Sequence, residues 1–417
     1  MEIKRPLYLQ QLIDNMGNGM IKVVTGMRRC GKSFLLFTLF YRYLLEQGVL
    51  RNHIIELALD DIGSEGLREP HALYQYIKSH LGEEGTYYVL IDEIQFADRF
   101  AEVLNSLLHL PNVDVYVTGS NSHFLSTDVL TEFRGRGQEI RLYPLSFAEF
   151  YSARTDDVAA AWQDYLVYGG LPMLFQLKTD KARRDYLLNL FRETYLKDIQ
   201  DRYTIRQPQE MDELVRILAS SVGSLTNPSK LQRTFKSSRN STIRDKTITQ
   251  YMSYLRDAFL VDSALRYDIK GKKYINTPLK FYFTDVGLRN ALLNFRQIEE
   301  THLMENIIFN ELKSRGYGVD VGIVETRPVD ASGKRQRVTL EIDFIAHEGS
   351  RKYYIQSAFA LPDEDKKAQE ERPLLAVDDS FKKIIIVAQP IKVRRDERGI
   401  MTMGIYDFLL QQDSLEQ

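Results

Sequence analysis

A single cysteine, Cys30, in 417 residues has nothing inside the chain to pair with, so an intrachain disulfide is excluded and a reducing compartment is expected. No run of 18 apolar residues occurs, and the opening Met1-Glu2-Ile3-Lys4-Arg5-Pro6 lacks the apolar core of a signal peptide. Both absences point away from a membrane and toward the cytoplasm. An excess of one charge is missing too: 55 Lys and Arg stand against 57 Asp and Glu, a net of −2, so any basic surface has to be local. Internal repeats and low-complexity segments are also lacking. What is present, 44% hydrophobic and 27% charged residues, is globular composition, at a length that suits two or three domains.

The chain is organised around Val23-Val24-Thr25-Gly26-Met27-Arg28-Arg29-Cys30-Gly31-Lys32-Ser33-Phe34-Leu35-Leu36. An apolar strand ends at Gly26, Gly31-Lys32-Ser33 follows, and an apolar helix begins: the G-x-x-x-x-G-K-[ST] phosphate loop in its required setting. The glycines let successive N–H groups turn inward on phosphate oxygens, and the helix starting near Lys32 aims its positive end at the same anion. Residues Gly26, Met27, Arg28, Arg29, Cys30, Gly31, Lys32, Ser33 and Phe34 are therefore the expected nucleotide contacts. Lys32 is expected on the β- and γ-phosphates and the Ser33 hydroxyl on Mg²⁺. Cys30 reads as a small filler rather than a nucleophile. Arg5, ahead of a short helix over 8–13, reads as a solvated arginine, with a place near an adenine ring as the alternative.

Tyr87-Tyr88-Val89-Leu90-Ile91 reads as a strand buried on both faces and delivers Asp92-Glu93 to a sheet edge, where parallel sheets bind ligands. Asp92 is the expected metal ligand and Glu93 the residue that orients the attacking water. Strands are also expected over 53–59, where Asp60 or Asp61 faces the nucleotide or makes a turn, and over 113–118. The latter runs into Gly119-Ser120-Asn121-Ser122, and Asn121 or Ser120 is the candidate γ-phosphate sensor. Arg134 or Arg136, on a glycine-flanked loop, is the candidate arginine finger toward a neighbouring subunit in a homo-oligomer. Ser146 and Glu149 form a capping box for the next helix.

Taken in order, Gly-Met-Arg-Arg-Cys-Gly-Lys-Ser, Leu-Ile-Asp-Glu, Thr-Gly-Ser-Asn-Ser, Arg-Gly-Arg and Leu-Tyr-Pro-Leu-Ser-Phe-Ala-Glu-Phe resemble the AAA-type P-loop ATPases of bacteria and archaea that carry a C-terminal domain of unknown function. The likeness is close over 1–175 and looser beyond. It implies an α/β fold with an αβα nucleotide-binding core and a small helical lid. Tyr168-Gly169-Gly170-Leu171-Pro172 resembles the glycine-proline element that approaches the nucleotide in related signalling ATPases.

Beyond the lid the pattern changes to helices over 211–221, 229–235 and 243–259 and a hairpin around Lys270-Gly271-Lys272, a winged-helix layout. Residues 228–273 hold eleven Lys and Arg against four Asp and Glu, a net of +7 that suits double-stranded DNA. From 301 the chain resembles the restriction-endonuclease-like nucleases, with Glu305 on a helix and Glu341 and Asp343 on a strand. The position that should read Glu-x-Lys is Gln356-Ser357-Ala358, so nuclease activity is not expected from the retained fold. The expected domains are thus 1–150 (ATPase core), 151–204 (helical lid and linker), 205–290 (winged helix) and 291–417 (nuclease-like α/β). The expected activity is ATP hydrolysis with Mg²⁺, coupled to domain rearrangement. The alternatives are an ATP-regulated DNA-binding switch and, last, a metal-dependent nuclease.

Overall fold

Strand β1 (Ile21–Thr25) is buried at all five positions, as a strand covered on both faces of a parallel sheet must be. The computed structural model describes residues 2–119, 133, 135–205, 207–239, 243–328, 333 and 335–417. They fall into two compact units. The first comprises Met1–Pro144, Leu171–Met173 and Arg256–Phe259. Its sheet is built from β1, β2 (Ile54–Ala58), β3 (Tyr87–Asp92), β4 (Val113–Gly119) and β5 (Gly137–Arg141). The order is β2-β3-β4-β1-β5 and every pairing is parallel. The carboxyl ends of β1, β3 and β4 therefore lie side by side, the edge at which such sheets take ligands.

Lys22 sits on the interior strand β1 and is fully buried, which only a counter-charge makes tolerable. Asp114 on β4 supplies it through an ion pair, and the ammonium also stands 4.6 Å from the Tyr116 ring centroid. The helix after the phosphate loop starts as Lys32–Phe34, widens into a π-helical stretch over Leu35–Phe40 and closes as Tyr41–Glu46. After β3 a 3₁₀ turn occupies Ile94–Phe96, Arg99 turns the chain at φ +47°, and a helix follows over Phe100–Leu107. Arg5 corrects the sequence reading. It is buried, donating to the carbonyls of Cys30 at 3.2 Å and Tyr143 at 2.7 Å, so it braces the phosphate loop from beneath instead of meeting solvent or a base.

The second unit comprises Leu145–Gly170, Leu174–Leu255 and Leu260–Gln417. The capping box is present, with Ser146 Oγ accepting from the Glu149 amide and Glu149 Oε2 from the Ser146 amide. Helices Pro208–Ser220, Pro228–Arg239 and Asp245–Asp257 follow the expected layout. The hairpin is larger than expected: β6 (Val261–Asp268) and β7 (Lys273–Phe283) are full strands. They extend because β6 gains a second partner, pairing in parallel with β8 (Gly318–Thr326), a strand absent from the sequence reading. Also in this sheet are β9 (Val338–Glu348), β10 (Arg351–Ala358), β11 (Lys382–Val387), β12 (Arg394–Arg395) and β13 (Ile400–Gly404). The eight strands run β12-β13-β11-β10-β9-β8-β6-β7, so the segments expected as winged helix and nuclease-like domain share one mixed sheet.

Candidate functional site

At the end of β1 the backbone turns at Gly26 with φ +144°, and a Cβ there would stand 2.2 Å from the Leu142 carbonyl oxygen. Only glycine fits that approach. Arg29 at φ +65° and Gly31 at φ +102° complete the wrap, and Gly31 hands over to the helix that opens with Lys32. Lys32 is buried, its ammonium donating to the carbonyls of Gly26 and Met27 at 3.2 Å each. An ammonium has three protons, so one donor remains beyond these two. Cys30 is fully buried, with its thiol on the Leu142 carbonyl at 3.6 Å. Burial pushes that thiol up, which fits a filler and not a nucleophile.

Asp92, at the end of β3, is buried, with the Thr118 hydroxyl of β4 donating to its carboxylate and Ser33 of the phosphate-loop helix beside it on the same cleft wall. Burial pushes its carboxyl up, and the Ser33 and Thr118 hydroxyls, with the nearby Lys32 charge, pull it back down. The next residue, Glu93, takes a left-handed turn at φ +47°, a conformation that costs a side-chain-bearing residue energy and clusters at functional sites. Its amide donates to Thr118 Oγ1 at 2.9 Å, and its carboxylate accepts from the Gln95 side chain. One hydroxyl, Thr118 Oγ1, thus holds the Asp92 carboxylate and the Glu93 backbone.

A cleft of about 420 Å³ opens over these groups, lined by Arg28, Arg29, Gly31, Lys32, Ser33, Phe34, Asp60, Asp92, Glu93 and Phe96. Of the expected nucleotide contacts, Gly26, Met27 and Cys30 are not on its wall; the first two serve it through their carbonyls on Lys32. Asp60 lines the cleft, whereas Asp61 caps the next turn by accepting from the Gly63 amide at 2.7 Å. Pro172 reaches the loop as the glycine-proline resemblance implies: its Cγ would be 3.8 Å from a Cβ placed on Gly31. Arg136 is exposed just before β5 and is not on the cleft wall. Ser120, Asn121 and Arg134 lie outside the described residues. Sequence reasoning missed Thr118, although a hydroxyl near the end of a strand beside the acid-bearing one is a usable signal.

A phosphate loop leaving an interior strand of a parallel sheet, with an acid-tipped strand two places away, defines a P-loop ATPase core of the AAA class. Residues 18–151 match the AAA domain family, and residues 159–299 match a domain of unknown function (DUF8612). The chain belongs to the same family as an uncharacterized protein of Haemophilus influenzae. It is 35% identical to that protein over 98% of its own length and 99% of the relative's. A protein of Methanocaldococcus jannaschii is 24% identical, with 87% of this chain and 79% of that one covered. Among solved structures, the Walker-type ATPase of Pyrococcus abyssi is similar at 15% identity and a TM-score of 0.48, over 70% of this chain and 96% of that one.

Proposed function

We propose that the chain hydrolyses ATP with Mg²⁺ in this cleft. The observation that carries the reading is the convergence on Asp92: Ser33 from the phosphate-loop helix stands beside a buried carboxylate at the end of β3, on the wall of one cleft. A hydroxyl and a carboxylate side by side are hard oxygen donors of the kind Mg²⁺ takes alongside phosphate oxygens. When bound, the metal neutralises charge on the β- and γ-phosphate oxygens. The inward amides of the loop hold the phosphates, and Lys32 offers them its remaining donor. Glu93, on the same cleft wall, orients and polarises the attacking water. Thr118 ties the Asp92 carboxylate to the Glu93 backbone, and the exposed Arg136 is the residue available to a neighbouring copy's γ-phosphate. The test is phosphate release by the full chain. Turnover with Mg²⁺ that stops with excess EDTA and returns on adding Mg²⁺ is expected; no release with Mg²⁺ present sinks the reading.

A second reading, an ATP-regulated DNA-binding switch, is supported by one observation. Lys230, Arg233, Lys236, Arg244, Lys246, Lys270, Lys272 and Lys273 are all exposed on the second and third helices and the β6–β7 turn. Phosphate contacts of this kind give binding whose logarithm falls with the logarithm of salt at about −0.9 per contact. Duplex binding by the full chain with a slope of about −4 or steeper is the expected result, and no binding at low salt removes this reading.

A further inference from the structure

Away from the cleft, in the eight-stranded sheet of the second unit, Lys280 on β7 is 3% exposed. Its ammonium lies 2.9 Å from Glu305 Oε1, 2.9 Å from Glu341 Oε1 and 3.3 Å from Asp343 Oδ1. Glu305 comes from the helix Glu300–Ser314, and the other two acids come from alternate positions of β9. The ammonium thus hydrogen-bonds Glu305 and Asp343 and is also ion-paired with Glu341, so three carboxylates surround it.

The surrounding groups are arranged for these oxygens too. The Tyr282 hydroxyl donates to Glu305 Oε1 at 2.8 Å, and the Ser357 amide donates to Asp343 Oδ2 at 2.9 Å. One oxygen is left over. Gln356 is 9% exposed and its Oε1 has no hydrogen-bond partner. The β9–β10 register pairs Ile355 with Phe344, so the next pair is Gln356 and Asp343, which places their side chains on one face of the sheet. A buried amide oxygen without a donor is unfavourable, a cost that a cation ligand removes.

We propose that Glu305, Glu341, Asp343 and Gln356 form a divalent-cation site that the chain fills with its own lysine ammonium. The wild-type domain therefore takes no metal here, and removing the ammonium exposes a hard, oxygen-lined site. The charge count agrees: three carboxylates face a single ammonium. Access agrees as well. Gly223 covers Glu305 so closely that a Cβ would stand 3.0 Å from Oε2, and its amide is tied to the Phe281 carbonyl at 3.1 Å.

The sequence reading treated the lysine of the nuclease-like site as lost because Ala358 stands in its usual place. The structure brings an ammonium to the same acids from another strand, at the centre of the carboxylates instead of beside them.

Mn²⁺ titration followed by the paramagnetic resonance of the free ion tests the proposal on the full chain, as wild type, Lys280→Met and Lys280→Met/Glu305→Gln. The phosphate-loop cleft is common to all three, so its Mn²⁺ cancels in the comparison. Lys280→Met is expected to bind one more Mn²⁺ per chain than wild type and to lose it with Glu305→Gln. It should also melt at a lower temperature than wild type in metal-free buffer and recover on adding Mn²⁺, whereas the wild-type melting point should not respond to Glu305-dependent binding. A wild-type Mn²⁺ that Glu305→Gln alone removes, or a Lys280→Met chain that Mn²⁺ neither binds nor restabilises, overturns it.

Discussion

Lys32→Ala is expected to weaken ATP binding by about 100-fold or more, on the scale of a charge-assisted hydrogen bond to phosphate at about 1.5–3 kcal/mol. The buried position of Lys32 places the estimate at the upper end, because an ammonium out of water interacts with a polyanion under less screening. Alanine also leaves the Gly26 and Met27 carbonyls without their donor, so the loop itself loosens. Titration of a fluorescent ATP analogue measures the loss, and a thermal melt in the absence of nucleotide separates it from global unfolding. A folded Lys32→Ala chain that binds ATP like wild type would remove the phosphate-loop assignment altogether.

What could be read in the sequence divides along the distance over which each interaction acts. The phosphate loop is legible because its chemistry is local: Gly26, Gly31, Lys32 and Ser33 lie within eight positions, and each type is dictated by backbone geometry or by phosphate. The buried strand ending in Asp92 is legible for the same reason, as a run of apolar residues with acids at its tip. Arg5 is not, since its role depends on carbonyls 25 and 138 residues away that meet only in the folded core. Thr118 depends on β4 lying next to β3, which strand order decides and sequence order does not. The same holds for β8, where Gly318 and Gly322 weaken the local strand signal and pairing with β6 and β9 outweighs it. Lys280 is the extreme case. It stands 25 to 63 residues from its partners, and the usual position of a nuclease-like lysine holds Ala358.

Glu93→Gln is expected to leave ATP affinity within a few-fold of wild type while lowering turnover by about 10²–10⁴, the range for loss of a general base. The substitution is nearly isosteric, and the groups proposed to hold phosphate and metal, Lys32, Ser33 and Asp92, are untouched. The Glu93 amide is bound to Thr118 through the backbone, so the turn at this residue survives the change of side chain. Gln95 donates to the carboxylate, and the new amide retains one oxygen to accept that bond. What is lost is the negative charge on the cleft wall beside the position of the attacking water, and with it the polarisation of that water. Binding and chemistry therefore separate in this variant, whereas Lys32→Ala removes both. Single-turnover hydrolysis measured with protein in excess over ATP gives the chemical step directly, and equilibrium binding with the same nucleotide gives the affinity. Hydrolysis at the wild-type rate would transfer the role of Glu93 to another group; Asp60, the remaining carboxylate on the cleft wall, is the one the geometry offers.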